Sequence, residues 1–203
     1  MSTAVLQAAG ATLIMGVDPG SQHTGYGLVM SNGQKLQLVA QGRLSPSAAW
    51  PLARRLAHIH RHLSELTAGY RPQVVAVEDI FYGKNVRSAL KLGHVRGVVL
   101  LAAAQAGADI YEYAPRLVKN TVAGYGQADK AQVAHMVAEL LDYHQPLAAD
   151  AADALAVAIC HASQCRLSRL ISGGGTSGGR SGGRGGGWRN ISPDDLEALN
   201  YKR

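Results

Sequence analysis

Four acidic residues in this 203-residue chain have the types and spacing that metal chemistry needs: Asp18, Glu78, Asp150 and Asp153. Asp18 ends the apolar run 12–17 and is followed at once by Pro19-Gly20, while Glu78 ends the apolar run 74–77. Each run reads as a buried strand, and the carboxyl ends of strands are where ligand sites of α/β sheets gather. Asp150 and Asp153 stand three apart in a stretch that is otherwise all alanine from Ala148 to Ala154, so they share one helical face. Each signal has an ordinary alternative, because an acid at a strand end can be structural and Asp at a helix start is a favoured cap. Together, with the two strands adjacent and the helix packed across them, the acids would converge. Without a counter-charge they would repel one another and raise a pKa. Hard divalent cations such as Mg²⁺ or Mn²⁺ take oxygen ligands of this kind, and two of them can activate a water and stabilise the leaving oxygen of a phosphodiester.

The elements that must position these acids follow from hydropathy. Strands are predicted at 12–17, 25–30 and 35–43, the last two joined across Ser31-Asn32-Gly33, and Asn-Gly marks a tight hairpin. Leu52, Leu56, Ile59, Leu63 and Leu66 recur at helical spacing, so a helix is predicted over 52–68. A strand at 74–78, a helix at 86–106 and a short strand at 110–113 come next. Helices at 115–123, 129–142 and 149–170 close the series. An antiparallel hairpin followed by strand–helix crossovers is a mixed α/β arrangement.

Composition narrows the class. Hydrophobic residues make up 47%, enough for one well-buried core in a chain of this length. The formal net charge is +6, but residues 1–165 carry 13 Lys/Arg against 11 Asp/Glu, so a nucleic-acid surface there must come from local clustering. Cys160 and Cys165 fit neither a disulfide framework nor a zinc pattern and read as thiols in a reducing compartment. His58, His60 and His62 are spread around their helix and read as solvated or boundary residues rather than a metal site. No run is apolar enough to span a membrane, and the first 17 residues lack the basic start of a secretory signal, so a cytoplasmic protein is expected. Four segments are expected: a flexible leader 1–11, a folded domain 12–171, a flexible linker 172–187 that holds ten of the 24 glycines, and a tail 188–203.

Several ordered motifs carry a resemblance. Met15-Gly16-Val17-Asp18-Pro19-Gly20-Ser21 with Thr24-Gly25-Tyr26-Gly27 resembles the opening of the RuvC Holliday junction resolvases. So do Val77-Glu78-Asp79-Ile80-Phe81, Ser88-Ala89-Leu90-Lys91-Leu92-Gly93, Val118-Lys119-Asn120-Thr121-Val122, and the stretch from Asp150 to Ala156. The resemblance runs from about residue 13 to 163. It implies an RNase H-like fold, a five-stranded mixed sheet flanked by helices. It implies a divalent-metal-dependent endonuclease that makes paired symmetric nicks in four-way junction DNA during recombination and repair, leaving 5′-phosphate and 3′-hydroxyl ends. It also implies Mg²⁺, with Mn²⁺ substituting, at two ions per active site, a homodimer, and the RuvA–RuvB branch-migration complex as partner. Catalytic roles carry over to Asp18, Glu78, Asp150 and Asp153, which would also hold the metal, and to Lys119 and Lys130 near the scissile phosphate. Phe81 matches the aromatic that stacks on an unpaired base.

Beside the resemblance, no acid occurs between Ile80 and Ala108, while Lys84, Arg87, Lys91 and Arg96 do. Cations next to a lone Phe suit an unpaired nucleotide, although a core Phe on a solvated basic face is the plainer reading. Gly93 and Gly97 lie four apart, which allows close approach either of another part of the chain or of a second copy. Two rivals keep parts of the pattern. An actin-like ATPase would need a second phosphate-binding domain, and a non-catalytic junction binder would be expected to lack one of the acids.

Overall fold

The computed structural model describes residues 10–33, 35–79 and 86–173. Its elements are, in chain order, β1 (Thr12–Asp18), β2 (Thr24–Ser31), β3 (Leu36–Leu44), α1 (Leu52–Tyr70), β4 (Val74–Glu78), α2 (Val86–Gln105), β5 (Asp109–Tyr113), α3 (Pro115–Ala123), α4 (Lys130–Leu140) and α5 (Ala149–Gly173). The strands form one sheet in the order β3-β2-β1-β4-β5. β1 pairs antiparallel with β2 and parallel with β4, so the expected adjacency of the two acid-bearing strands holds. The leader to residue 9, Phe81, Lys84 and the linker and tail beyond Gly173 lie outside the described residues.

The pleat sorts the core into two layers. Leu13, Met15, Val17, Val75 and Val77 bury against Ile59, Leu63, Val95 and Val99 of α1 and α2. Ile14, Val29, Val74 and Ala76 bury against Val118, Val122, Leu155 and Ile159 of α3 and α5. Successive side chains on a strand alternate faces. With Val17 and Val77 committed to the α1/α2 layer, Asp18 and Glu78 must point to the α5 side. Two apolar layers thereby aim two acids.

α5 lies unusually close to the sheet because strand glycines make room. A Cβ at Gly16 would stand 2.0 Å from the Ala154 carbonyl oxygen, and one at Gly25 would stand 1.8 Å from that of Asp150. The alanines of α5 are the other half of this seam: Ala151, Ala152, Ala154 and Ala158 are buried. Further along α5, His161 is buried, with its Nδ1 2.7 Å from the Tyr113 hydroxyl and its Nε2 3.3 Å from Cys165 Sγ. Burial pushes the His161 pKa down to about 4, which keeps the ring neutral, and both cysteines are free thiols.

The hairpin between β2 and β3 lies one residue from its expected place. Ser31 pairs with Leu36, so the connection is residues 32–35 rather than 31–34. The Asn32 N–H donates to the Lys35 carbonyl at 3.2 Å, the Lys35 N–H donates to Asn32 Oδ1 at 2.8 Å, and Gly33 supplies a φ of +87°. No described helix is long and apolar enough to cross a membrane.

Candidate active site

Asp18 begins the site. The turn after it is pinned by Thr24, which is fully buried and whose hydroxyl donates to the Gly20 carbonyl at 2.9 Å. Glu78 ends the neighbouring parallel strand, and a side-chain hydrogen bond joins the two carboxyls. Burial, reinforced by the negative charge of Asp153, raises the Asp18 pKa to about 6. Burial, with Asp18 and Asp153 adding repulsion, raises that of Glu78 to about 7. Glu78, the more basic, is therefore the donor, and the pair shares a proton near neutrality.

Asp150 and Asp153 approach from α5. Because the helix begins at Ala149, both stand inside it rather than at its cap, and the capping alternative fails. Their side chains instead meet cations. Lys130 Nζ donates to Asp153 Oδ2 at 2.8 Å, and Arg43 Nη1 lies 3.5 Å from Asp150 Oδ2. Lys130 is held by the first turn of α4. Asp129 accepts from the Gln132 N–H at 2.8 Å, and Gln132 Oε1 accepts from the Asp129 N–H at 2.9 Å. This capping box was legible as Asp129-x-x-Gln132.

The four acids thus face one another, but not as a closed cage. Among the described residues, no three His, Cys, Asp or Glu side chains are drawn tightly enough together to hold a metal ion. Lys130 and Arg43 each pair with one of the two α5 acids. The chemistry of the donors nevertheless fits a hard divalent cation, because all are carboxylate oxygens and two have raised proton affinities that a cation would reverse.

The other expected residues divide. Lys130 joins the acids. Lys119, half-buried on α3, makes no ion pair among the described residues. Arg87 and Lys91 are exposed on α2. Arg96 is not one of a row of free cations, since it pairs with Asp79 and Glu112. Gly93 and Gly97 meet nothing within 4 Å of an added Cβ, so packing among the described residues does not explain them. Arg43 was missed. Its only sequence-level signal is a cation at the end of a strand, and its partner lies 107 residues away.

The family model for "Crossover junction endodeoxyribonuclease RuvC" matches residues 14–161, which run from within β1 to the middle of α5. The chain belongs to the RuvC family. A RuvC of Geobacter sp. strain M21 is 47% identical over 161 residues, covering 79% of this chain and 98% of the relative. One from Koribacter versatilis is 51% identical over 150 residues, covering 73% and 90%. Among solved structures, Thermus thermophilus RuvC in complex with a Holliday junction substrate superposes with a TM-score of 0.73 at 37% identity, covering 77% of this chain and 96% of that one. The yeast mitochondrial Holliday junction resolvase matches in fold, with a TM-score of 0.58 at 14% identity. The RuvC fold is thereby that of the RNase H-like resolvases, and the five-stranded mixed sheet agrees.

Proposed function

We propose that this chain resolves Holliday junctions, cutting two opposed strands with symmetric nicks that leave 5′-phosphate and 3′-hydroxyl ends. The observation that carries the reading is the placement of Asp18 and Glu78 at the ends of adjacent parallel strands, beside Asp150 and Asp153 of α5, at one edge of a RuvC sheet. These four carboxylates would hold two divalent ions, Mg²⁺ or Mn²⁺. Bound there, such ions would supply Lewis-acid activation of water and of the departing oxygen. The chain's own residues supply the rest. Lys130, beside Asp153, is placed to offset charge that builds on the phosphoryl oxygens, and its ion pairs hold it protonated. Lys119 would hold the phosphate from the α3 side. Arg43, 3.5 Å from Asp150 Oδ2, orients that carboxylate. Phe81 and Lys84, with Arg87 and Lys91, would receive the unpaired bases and backbone at the crossover.

A homodimer would set one site on each of two opposed strands. The exposed stripe on α2 supports it: Val86, Leu90 and Leu101 are 73%, 61% and 50% exposed around the open Gly93 and Gly97. The RuvA–RuvB complex remains the expected partner.

The test is a synthetic four-way junction, a Y-fork and a linear duplex, each with Mg²⁺ or Mn²⁺. Paired nicks confined to the junction are expected. Asp18→Asn should keep junction binding and lose at least about 10³-fold in cleavage rate, since the ions that these oxygens would hold are what would stabilise the developing charge. Equal cutting of the duplex would remove the junction assignment, and undiminished nicking by Asp18→Asn would remove the mechanism.

A further inference from the structure

We infer that Arg96 is a positioning residue for the reacting site, fixing the end of β4, and so Glu78, from the opposite face of the sheet. Arg96 projects from α2, and its Nη2 bonds Glu112 Oε2 on β5 and lies 3.3 Å from Asp79 Oδ1. The Arg96 and Glu112 side chains are only 21% and 22% exposed. Asp79 directly follows Glu78, and its backbone N–H donates to the Tyr113 carbonyl at 2.8 Å, immediately beyond the last β4–β5 pair. One guanidinium therefore ties three segments together: the helix, the end of β4 and the strand beside it.

The clamp acts at a point where the ladder alone is weak. β4 is five residues long, and Glu78 pairs with β5 but has no partner on β1, whose pairing with β4 ends at Val17–Val77. Glu78 points towards α5 and is hydrogen bonded to Asp18. Asp79 is drawn the other way, towards α2. The peptide joining them is held from both faces of the sheet, which limits its freedom to twist. Both carboxylates meet the same Nη2, whose two N–H bonds lie in fixed directions in the guanidinium plane, where an ammonium would meet them as a point charge. The two acids already compensate Arg96, so it has little charge to offer a phosphate. That sets it apart from Arg87 and Lys91 on the same helix.

The inference rests on Glu78 belonging to the reacting site, and the experiment separates the two. Arg96→Gln, Arg96→Lys, Asp79→Asn and Glu78→Gln are compared in the full chain. Four quantities are read: Mn²⁺ affinity without DNA by calorimetry, junction affinity, single-turnover cleavage rate and melting temperature. Arg96→Gln should bind the junction within about twofold of the parent and cut it at least about tenfold more slowly, as expected when a reacting group is misplaced by a fraction of an ångström. Mn²⁺ affinity should fall with the rate, and Arg96→Lys should restore part of both. A lowered melting temperature with unchanged Mn²⁺ affinity and rate would overturn the proposal and leave Arg96 as scaffold. If Arg96→Gln does not fold, Asp79→Asn decides, because it keeps the Arg96–Glu112 pair and removes the charge that Arg96 meets at the end of β4; parental Mn²⁺ affinity and rate in that variant overturn the proposal. Parental Mn²⁺ affinity in Glu78→Gln would remove Glu78 from the site, and the proposal with it.

Discussion

At the scale of single residues, the fold works against two of its own acids. In an unfolded chain Asp18 and Glu78 titrate at the ordinary 3.8 and 4.5, whereas in the fold they titrate at about 6 and about 7. Below about pH 4 both states keep the protons and nothing is lost. As pH rises from about 4 to about 7 the unfolded chain releases its protons first, so stability of the metal-free protein falls across that window. Melting curves from pH 4 to 8 should show this decline, and Asp18→Asn/Glu78→Gln should flatten it. Added Mn²⁺ should stabilise the parent more at pH 8 than at pH 5, because it must displace protons at the lower pH. An Mn²⁺ effect equal at both would contradict the shared-proton picture. Much of this was legible, since each acid follows directly on an apolar strand. Arg43 and the true partners of Arg96 were not. Both depend on which distant segments lie side by side, and a list of charges along the chain carries no such information.

At the scale of elements, the seam between α5 and the β1/β2 hairpin sets where Asp150 and Asp153 stand. Gly25→Ala would push a methyl into the Asp150 carbonyl, an overlap at backbone that no side-chain rotation relieves. Overpacking of this kind costs about 1–3 kcal/mol or more. We expect Gly25→Ala to lower the melting temperature and to cost cleavage even where the chain stays folded, because the displaced helix carries two of the acids. Wild-type activity at full stability would show that α5 tolerates the shift. Element positions were readable because each of the two layers imposes its own period, 2 on strands and 3.6 on helices. The hairpin loop was readable to within one residue, and only the Ser31–Leu36 pairing fixes its register. The closeness of α5 was half legible: the alanines stood out, but Gly16 and Gly25 read as ordinary strand residues until they met the helix.

At the scale of the molecule, the exposed stripe on α2 is the surface still to be accounted for. Leu90→Glu places a charge in its middle and should convert a dimer to a monomer by light scattering, with paired nicks giving way to single, uncoupled ones. A Leu90→Glu protein that stays dimeric would move the interface elsewhere. α5 offers a measure of the whole body. It carries Asp150 in its first turn and runs 25 residues to Gly173, a length of about 37 Å at the rise of an α-helix. A dye attached near Gly173 would sit a known distance from the reacting edge, within the range of resonance energy transfer. The helix would then serve as a built-in ruler for following a labelled junction arm as it enters and leaves the site.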